Sequence, residues 1–509
     1  MEIDPKLVAA ARAAFPAQGK TVVLGAPLHA GACHPEPLVQ LPLAMLNRHG
    51  LIAGATGTGK TKTLQLMAEQ ISAAGTPVFV ADLKGDLSGL GAAGEASDRV
   101  AARARETGRP WQGAASPIEF VSLSGTRGAQ LRATVSSFGP LLLAKVLGLN
   151  ETQASVLTMV FKYCDDRELL LLDFPDLRAV LQHLTGDGAA DLKDYGGMSK
   201  ASVGVLLREM VELEAQGALA FFGEPEFDLD DLLQVERDGR GLVTVLELAD
   251  VQDKPALFST FMMWMLARLY GTLPEVGDLD QPKLVFFFDE AHLLFDGASE
   301  AFLDQVQQVV RLVRSKGVGV FFVTQSPKDV PADVLGQLGH RVQHALRAFT
   351  PDDEKALKAA ARTFPKTSFY DVEETLTTLG IGEALITVLG ANGAPTPPFA
   401  TRLIAPASRM GPLTDAELAP RLATPQVKKY AQAVDRESAR ETLAERAAHA
   451  TSSDAPPRTA PARGQTARAK DEPSTFEKIL KSPVTRSVAT QLTRSLMGAL
   501  LGPPRRRRF

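Results

Sequence analysis

The chain has 509 residues, 45% of them hydrophobic, with a formal net charge of −4 and two cysteines. That length accommodates two or three domains, or one large domain with insertions, and the apolar share permits a sizeable core. The composition excludes a disulfide framework, a membrane helix of about 18 unbroken apolar residues, and nucleic-acid binding through overall basicity.

The first ten residues, MEIDPKLVAA, lack a charged segment followed by an apolar run, so the expectation is a soluble, cytoplasmic protein without a membrane partner. Within residues 1–50 a helix is expected from Pro5 to Phe15, with strands around Thr21–Leu24 and Leu38–Leu41. His29, Cys33 and His34 fall close together, but a fourth ligand is not evident and the spacing matches no zinc pattern, so they read as loop residues.

Leu51–Leu64, LIAGATGTGKTKTL, is the stretch on which the rest depends. Gly54, Ala55, Thr56, Gly57, Thr58, Gly59, Lys60 and Thr61 fit G-x-x-x-x-G-K-[ST], and Lys62 completes the expected nucleotide-binding set. Glycines at those positions let backbone N–H groups turn inward around phosphates, Lys60 would reach the β- and γ-phosphates, and the Thr61 hydroxyl would bind Mg²⁺. Gly50–Ala53 before the loop reads as a buried strand. After it, Leu64, Met67, Ala68 and Ile71 mark one face of a helix whose N-terminus would lie under the phosphates.

Pro77–Ala81 is the next buried strand, giving a βαβ unit with a right-handed crossover. It ends in Asp82, Lys84 and Asp86, candidates for contact with the nucleotide or a neighbouring subunit; a solvated turn is the alternative. Ile118–Leu123 is a further strand. A mainly helical stretch follows, with helices expected at Pro140–Leu147, Glu151–Asp165, Pro175–Leu184 and Val203–Glu214, read as a lobe inserted into the sheet. Leu242–Leu248 returns to strand, and Lys254–Tyr270 to helix.

Lys283–Phe288 is a buried strand delivering Asp289 and Glu290 at its carboxyl end. That is Walker B chemistry: Asp289 holds Mg²⁺, while Glu290 stays free to accept a proton from the attacking water. The following helix carries Phe302, Val306, Val309, Val310 and Val313 on one face and ends in Arg311, Arg314 and Lys316. These cations either complement the helix dipole or include an arginine that reaches the next subunit's γ-phosphate. Val318–Thr324 is another buried strand, and Gln325 at its end is placed to hydrogen-bond the attacking water or the γ-phosphate. Strands at His344–Phe349 and Ala384–Val388, the second after a turn at Gly380, Gly382 and Glu383, complete the sheet.

Beyond Ala405, helical pieces at Asp415–Arg421 and Gln426–Ala448 lead to a low-complexity stretch, Thr451–Lys470, expected to be disordered. Val484, Val488, Leu492, Leu496 and Leu500 then form an apolar stripe that needs a partner surface, before the basic end Arg505–Arg508. The fold class is α/β: a RecA-like P-loop NTPase core, a mostly parallel sheet flanked by helices, with an inserted helical lobe and a helical and disordered C-terminal tail. The expected divisions are an N-terminal segment (1–50), the core in two parts (51–136 and 239–405), the lobe (137–238), a linker (406–470) and a terminal amphipathic helix with a basic tail (471–509).

Taken together, the glycine loop, the Asp-Glu strand and the Thr-Gln strand make the chain resemble the HerA/FtsK superfamily of ring ATPases, and more closely the bacterial HerA-like (YjgR-like) family. The stretches MLNRHGLIAGATGTGKT, PVFVADLKGDLSGL, FFFDEAHLLF, RSKGVGVFFVTQSP, LGIGEALITVL and PASRMGPLT carry that resemblance across nearly the whole chain. It implies ATP and Mg²⁺ as ligands, a homo-oligomeric ring with six subunits favoured, and DNA as the translocated polymer. By position it makes Lys60 and Thr61 the phosphate and metal residues, Asp289 and Glu290 the Walker B pair, and Gln325 the sensor. Arg314 becomes the trans-acting arginine, with Arg311 the second choice. HerA proper opens with a β-barrel, and fewer than sixty residues precede Lys60 here, too few to hold it whole. Asp289–His292 also spells DEAH, but the tandem sheet domains of superfamily 2 helicases are not found, and no Asn-Lys-x-Asp guanine reader is present. The expected function is therefore an ATP-driven motor on DNA; the alternative is an ATPase that remodels or regulates a protein partner.

Overall fold

The computed structural model describes residues 4–453, apart from 17–18, 278, 296–299 and 391. The expected apolar stripe and basic end, and all but the first residues of the low-complexity stretch, lie outside the described residues. Two compact units appear, one made of residues 1–132 and 225–433, the other of 133–224 with 434 onward.

The first unit is built on a sheet of thirteen strands: β1 (Thr21–His29), β2 (Ala32–Cys33), β3 (Val39–Pro42), β4 (Gly50–Ala53), β5 (Val78–Asp82), β6 (Ile118–Ser122), β7 (Ala129–Gln130), β8 (Val243–Glu247), β9 (Leu284–Phe288), β10 (Val318–Thr324), β11 (His340–Gln343), β12 (Glu383–Thr387) and β13 (Phe399–Leu403). The central strands run in the order β11-β4-β10-β9-β5-β8-β6-β7, all parallel, and antiparallel strands β12, β13 and β1 extend the β11 edge.

A parallel sheet needs both faces covered, which is why β5, β9 and β10 read as unbroken apolar runs rather than alternating ones. On one face the helix Lys60–Ala73 buries Leu64, Met67, Ala68 and Ile71 against Val285, Phe287 and Phe321. On the other, the helix Pro255–Thr272 brings Phe261 to within 6.3 Å of Phe79, whose ring lies 5.0 Å from that of Phe286 on the neighbouring strand. Cross-strand aromatic pairs continue on both faces, Phe287 with Phe321 at 5.2 Å and Phe288 with Phe322 at 5.7 Å. Such contacts fix register, because a slip of one residue would exchange the two aromatic sets between faces.

Two expectations need correction, and one strand lies outside them. The strand expected at His344–Phe349 is instead β11, His340–Gln343. It stops there because the next residues serve the glycine loop: His344 N–H donates to Ala53 O at 2.7 Å, and Ala345 O accepts from Ala55 N–H at 2.9 Å. The expected helix Gln426–Ala448 is two, Pro425–Ala431 and Ala439–Ser453, separated by extended residues. Strand β13 was not expected at all, since its only polar punctuation, Thr401 and Arg402, follows a proline-rich stretch that reads as a turn.

The second unit is helical. Its helices Glu151–Arg167 and Phe174–Thr185 each begin with a capping box, Asn150 with Gln153 and Asp173 with Asp176, which satisfies orphan N–H groups at both starts. Phe174 stacks on Phe222 with ring centres 4.6 Å apart, and the helix Ala439–Ser453 packs along Phe174–Thr185. No helix among the described residues is long and apolar enough to cross a membrane.

Candidate nucleotide site

The site lies where the parallel strands end. In register, Ala53 on β4 stands beside Thr324 on β10, and Phe322 beside Phe288 on β9. The glycine loop, Gln325 and the Asp289–Glu290 pair therefore emerge on one rim of the sheet, the crevice at which open α/β folds bind ligands.

The loop has the backbone its glycines permit. Gly59 caps the helix at a φ of 114°, a left-handed value that a side chain resists. At Gly54 a β-carbon would stand 2.4 Å from Cβ of His344, so the close approach of the residue after β11 also demands glycine. Lys60 Nζ folds back over the loop, donating to Gly54 O at 2.8 Å and to Ala55 O at 3.3 Å. Burial lowers its pKa, against the opposing pull of Glu290 and Asp289. The register of the strands sets the lysine's loop and the two acids on the same rim.

The two acids are held differently. Asp289 is buried, with Oδ1 accepting from the Glu290 N–H at 2.9 Å and Oδ2 without a hydrogen-bond partner. Burial, then the neighbouring Glu290 charge, pushes its carboxyl up to about 7. Glu290 adopts a φ of 49°, a left-handed value whose backbone strain only a well-anchored site retains. The anchors are hydrogen bonds from Ala291 N–H to Val323 O at 2.9 Å and from Leu293 N–H to Glu290 O at 3.0 Å. One Glu290 oxygen, Oε1, meets the Lys84 ammonium; the other, Oε2, lies 3.4 Å from His292 Nδ1 and has no hydrogen-bond partner.

Of the trio at the end of β5 and beyond, Asp82 is wholly buried and accepts from the loop that follows it: Lys84 N–H at 3.1 Å, Gly85 N–H at 2.8 Å and Leu87 N–H at 2.8 Å. It shapes the turn that aims Lys84. Burial nevertheless pushes its carboxyl up to about 7. Gln325 is exposed, and with Ala55, Thr56, Lys328 and Phe349 lines an open groove of about 990 Å³. Asp329 secures the turn around it, accepting from Thr324 Oγ1 at 2.8 Å and Ser326 N–H at 2.9 Å.

The arginines are elsewhere. Arg314 begins the short turn Arg314–Lys316, which precedes β10, and Arg311 lies in the last turn of the helix before it; both are exposed. A strand of seven residues such as β10 spans roughly 23 Å, so neither side chain stands beside the glycine loop of its own chain. Thus Lys60, Thr61, Lys62, Asp289, Glu290 and Gln325 are gathered on one rim, and Arg311 and Arg314 are not.

Sequence reasoning missed two supports. His344 Nε2 lies 2.9 Å from Thr63 Oγ1, tying β11 to the first turn of the helix behind the loop. Gly382 N–H donates to Thr58 O at 3.0 Å, and Arg103 Nη1 holds that turn from behind through Gly382 O and Leu403 O, each at 2.9 Å. Both join residues hundreds of positions apart, with no local pattern to reveal them.

The family described as helicase HerA-like C-terminal matches residues 29–508. The chain belongs to that family. Among solved structures, the bacterial conjugative coupling protein TrwBΔN70 in its unbound monoclinic form aligns at a TM-score of 0.50 and 16% identity, covering 80% of this chain and 94% of that one. Its trigonal form in complex with sulphate aligns equally well, at a TM-score of 0.50 and 16% identity over 80% and 94% of the two chains. At that identity the likeness concerns the fold, a RecA-like P-loop core. A protein of Methanocaldococcus jannaschii named "Probable helicase MJECL08" is 26% identical over 154 residues, 28% of this chain and 28% of its own length. The HerA-like chain therefore carries a P-loop NTPase site assembled at the carboxyl rim of its sheet.

Proposed function

We propose that the protein is an ATP-hydrolysing motor of the HerA/FtsK type, working as an oligomeric ring on DNA. The observation that carries this reading is that the glycine loop with Lys60 and the Asp289–Glu290 pair, from distant parts of the chain, follow strands that end side by side on one rim of the sheet. The loop backbone and Lys60 bind the triphosphate, and Glu290 receives the proton of the attacking water, which Gln325 helps to orient. Thr61 and Asp289 suit Mg²⁺, since Oδ2 of Asp289 is a buried acceptor without a hydrogen-bond partner. The metal's contribution when bound is to neutralise charge on the phosphates.

The position of Arg314 supports assembly. Far from its own glycine loop and exposed, it suits a site on a neighbouring subunit, where an arginine finger can be worth roughly 10³–10⁵ in rate. Hydrolysis then depends on the ring. The test is turnover of ATP with and without duplex DNA across a range of salt. This reading expects Mg²⁺-dependent turnover that duplex DNA stimulates, with stimulation falling as salt rises. Turnover indifferent to DNA and altered by deleting residues 471–509 would instead favour a remodelling ATPase with a protein partner. No turnover by the assembled protein would reject both.

A further inference from the structure

From the contact between Lys84 and Glu290 we infer that Lys84 is a restraint on the hydrolytic carboxylate, released when an anionic phosphate of the bound nucleic acid draws the ammonium away. The inference rests on the ATPase reading above and adds a control point to it.

Four observations support it. The Lys84 ammonium sits on Oε1 of Glu290, one of only two atoms that can take a proton from water. With that oxygen engaged and Oε2 buried beside His292, the carboxylate is held rather than presented. The two ends of the ion pair differ sharply in access: the Lys84 side chain is 52% exposed, that of Glu290 6%. An external anion can therefore reach the lysine without entering the site, and it competes for a charge that is already half in water. Finally, the lysine is aimed rather than loose. Asp82, wholly buried at the end of β5, accepts three N–H groups of the turn that carries it, so the ammonium returns to Glu290 when the competitor leaves.

Among the described residues, the other cations near Glu290 are engaged elsewhere in this structure. Lys60 is committed to the carbonyl oxygens of Gly54 and Ala55, and His292 reaches the opposite carboxylate oxygen. Among the described residues that touch Glu290, Lys84 is the one that combines a permanent charge with access from outside.

The experiment compares the full-length protein with Lys84→Met and Lys84→Arg, measuring kcat and KM for ATP with and without duplex DNA. If the pair leaves the base free about one time in ten, removing it raises DNA-free kcat by at most about tenfold. The expected result is a several-fold higher kcat in Lys84→Met without DNA, unchanged KM, and little further stimulation by DNA. Lys84→Arg, which keeps the ion pair, should resemble the parent. A DNA-free kcat in Lys84→Met at or below the parent's, or a raised KM, overturns the inference, since a lysine that positions the base or binds the triphosphate would behave so. Circular dichroism and thermal melting confirm that the variants fold. A parent that does not hydrolyse ATP, or a Glu290→Gln variant with full activity, defeats the ATPase reading itself and is told apart from failure of the restraint.

Discussion

The two ends of β10 contrast sharply. At the carboxyl end, Thr324 and Gln325 open onto a rim of buried, strained and incompletely paired groups: Asp289 with a free oxygen, Glu290 at positive φ, and Lys60 folded onto its loop. At the amino end, the charges are ordinary. Arg311 and Arg314 are exposed, and Lys316 lies 5.0 Å over the Tyr270 ring and 3.9 Å from Glu275. One strand thus carries strained, incompletely paired groups at one end and relaxed, exposed charges at the other; in the proposed ring the first end serves its own chain and the second a neighbour.

Four substitutions break or sharpen that contrast. The largest effect belongs to the relaxed end: Arg314→Ala should assemble and bind ATP, yet lose roughly 10³–10⁵ in kcat. Mixing this variant with Lys60→Ala subunits should restore some turnover, because each supplies what the other lacks. Steady-state kinetics with sedimentation checks this, and full activity of Arg314→Ala alone excludes the trans role. Next, Glu290→Gln should cost roughly 10²–10⁴ in kcat and retain bound ATP, seen as labelled nucleotide that survives gel filtration.

A smaller effect concerns the strands that hold the site. His340 is fully buried, its ring bonded to Met45 O at 2.7 Å and receiving Leu389 N–H at 3.3 Å, and burial lowers its pKa to about 4. Its folded value is depressed below that of the unfolded chain, so its contribution is present above about pH 6.5 and is lost as the pH falls toward 4. Compared with His340→Gln, the parent should lose about 2 kcal/mol of relative stability between pH 7 and pH 5, measured by urea unfolding. A pH-independent difference would show that the ring titrates in the folded protein as it does in the unfolded chain. An effect of similar size is expected at Asp329→Ala, which removes two hydrogen bonds from the turn around Gln325. It should cost about 1–3 kcal/mol in stability, with a lower kcat and little change in ATP affinity.

Much of the sheet core was readable because parallel strands buried on both faces announce themselves as unbroken apolar runs, as in Val318–Val323. The glycine loop and the Asp-Glu pair were readable because phosphate and water chemistry need particular residues at particular spacing. The edge was harder to read. Strand β11 was displaced because His344 and Ala345 continue as extended chain while bonding to the loop, and β13 lies among prolines. Arg103 behind Gly382 and His344 beside Thr63 are contacts of high sequence separation. Lys84 stood out only as part of a charged turn, and nothing local connects it to Glu290.

The central claim is that Lys60 and Asp289 serve one magnesium nucleotide. The most direct measurement is the affinity for ATP with and without Mg²⁺ in the parent, in Lys60→Ala and in Asp289→Asn. The account predicts that Lys60→Ala weakens binding in both conditions, whereas Asp289→Asn abolishes the gain that Mg²⁺ brings to the parent. A full Mg²⁺ effect in Asp289→Asn would contradict it.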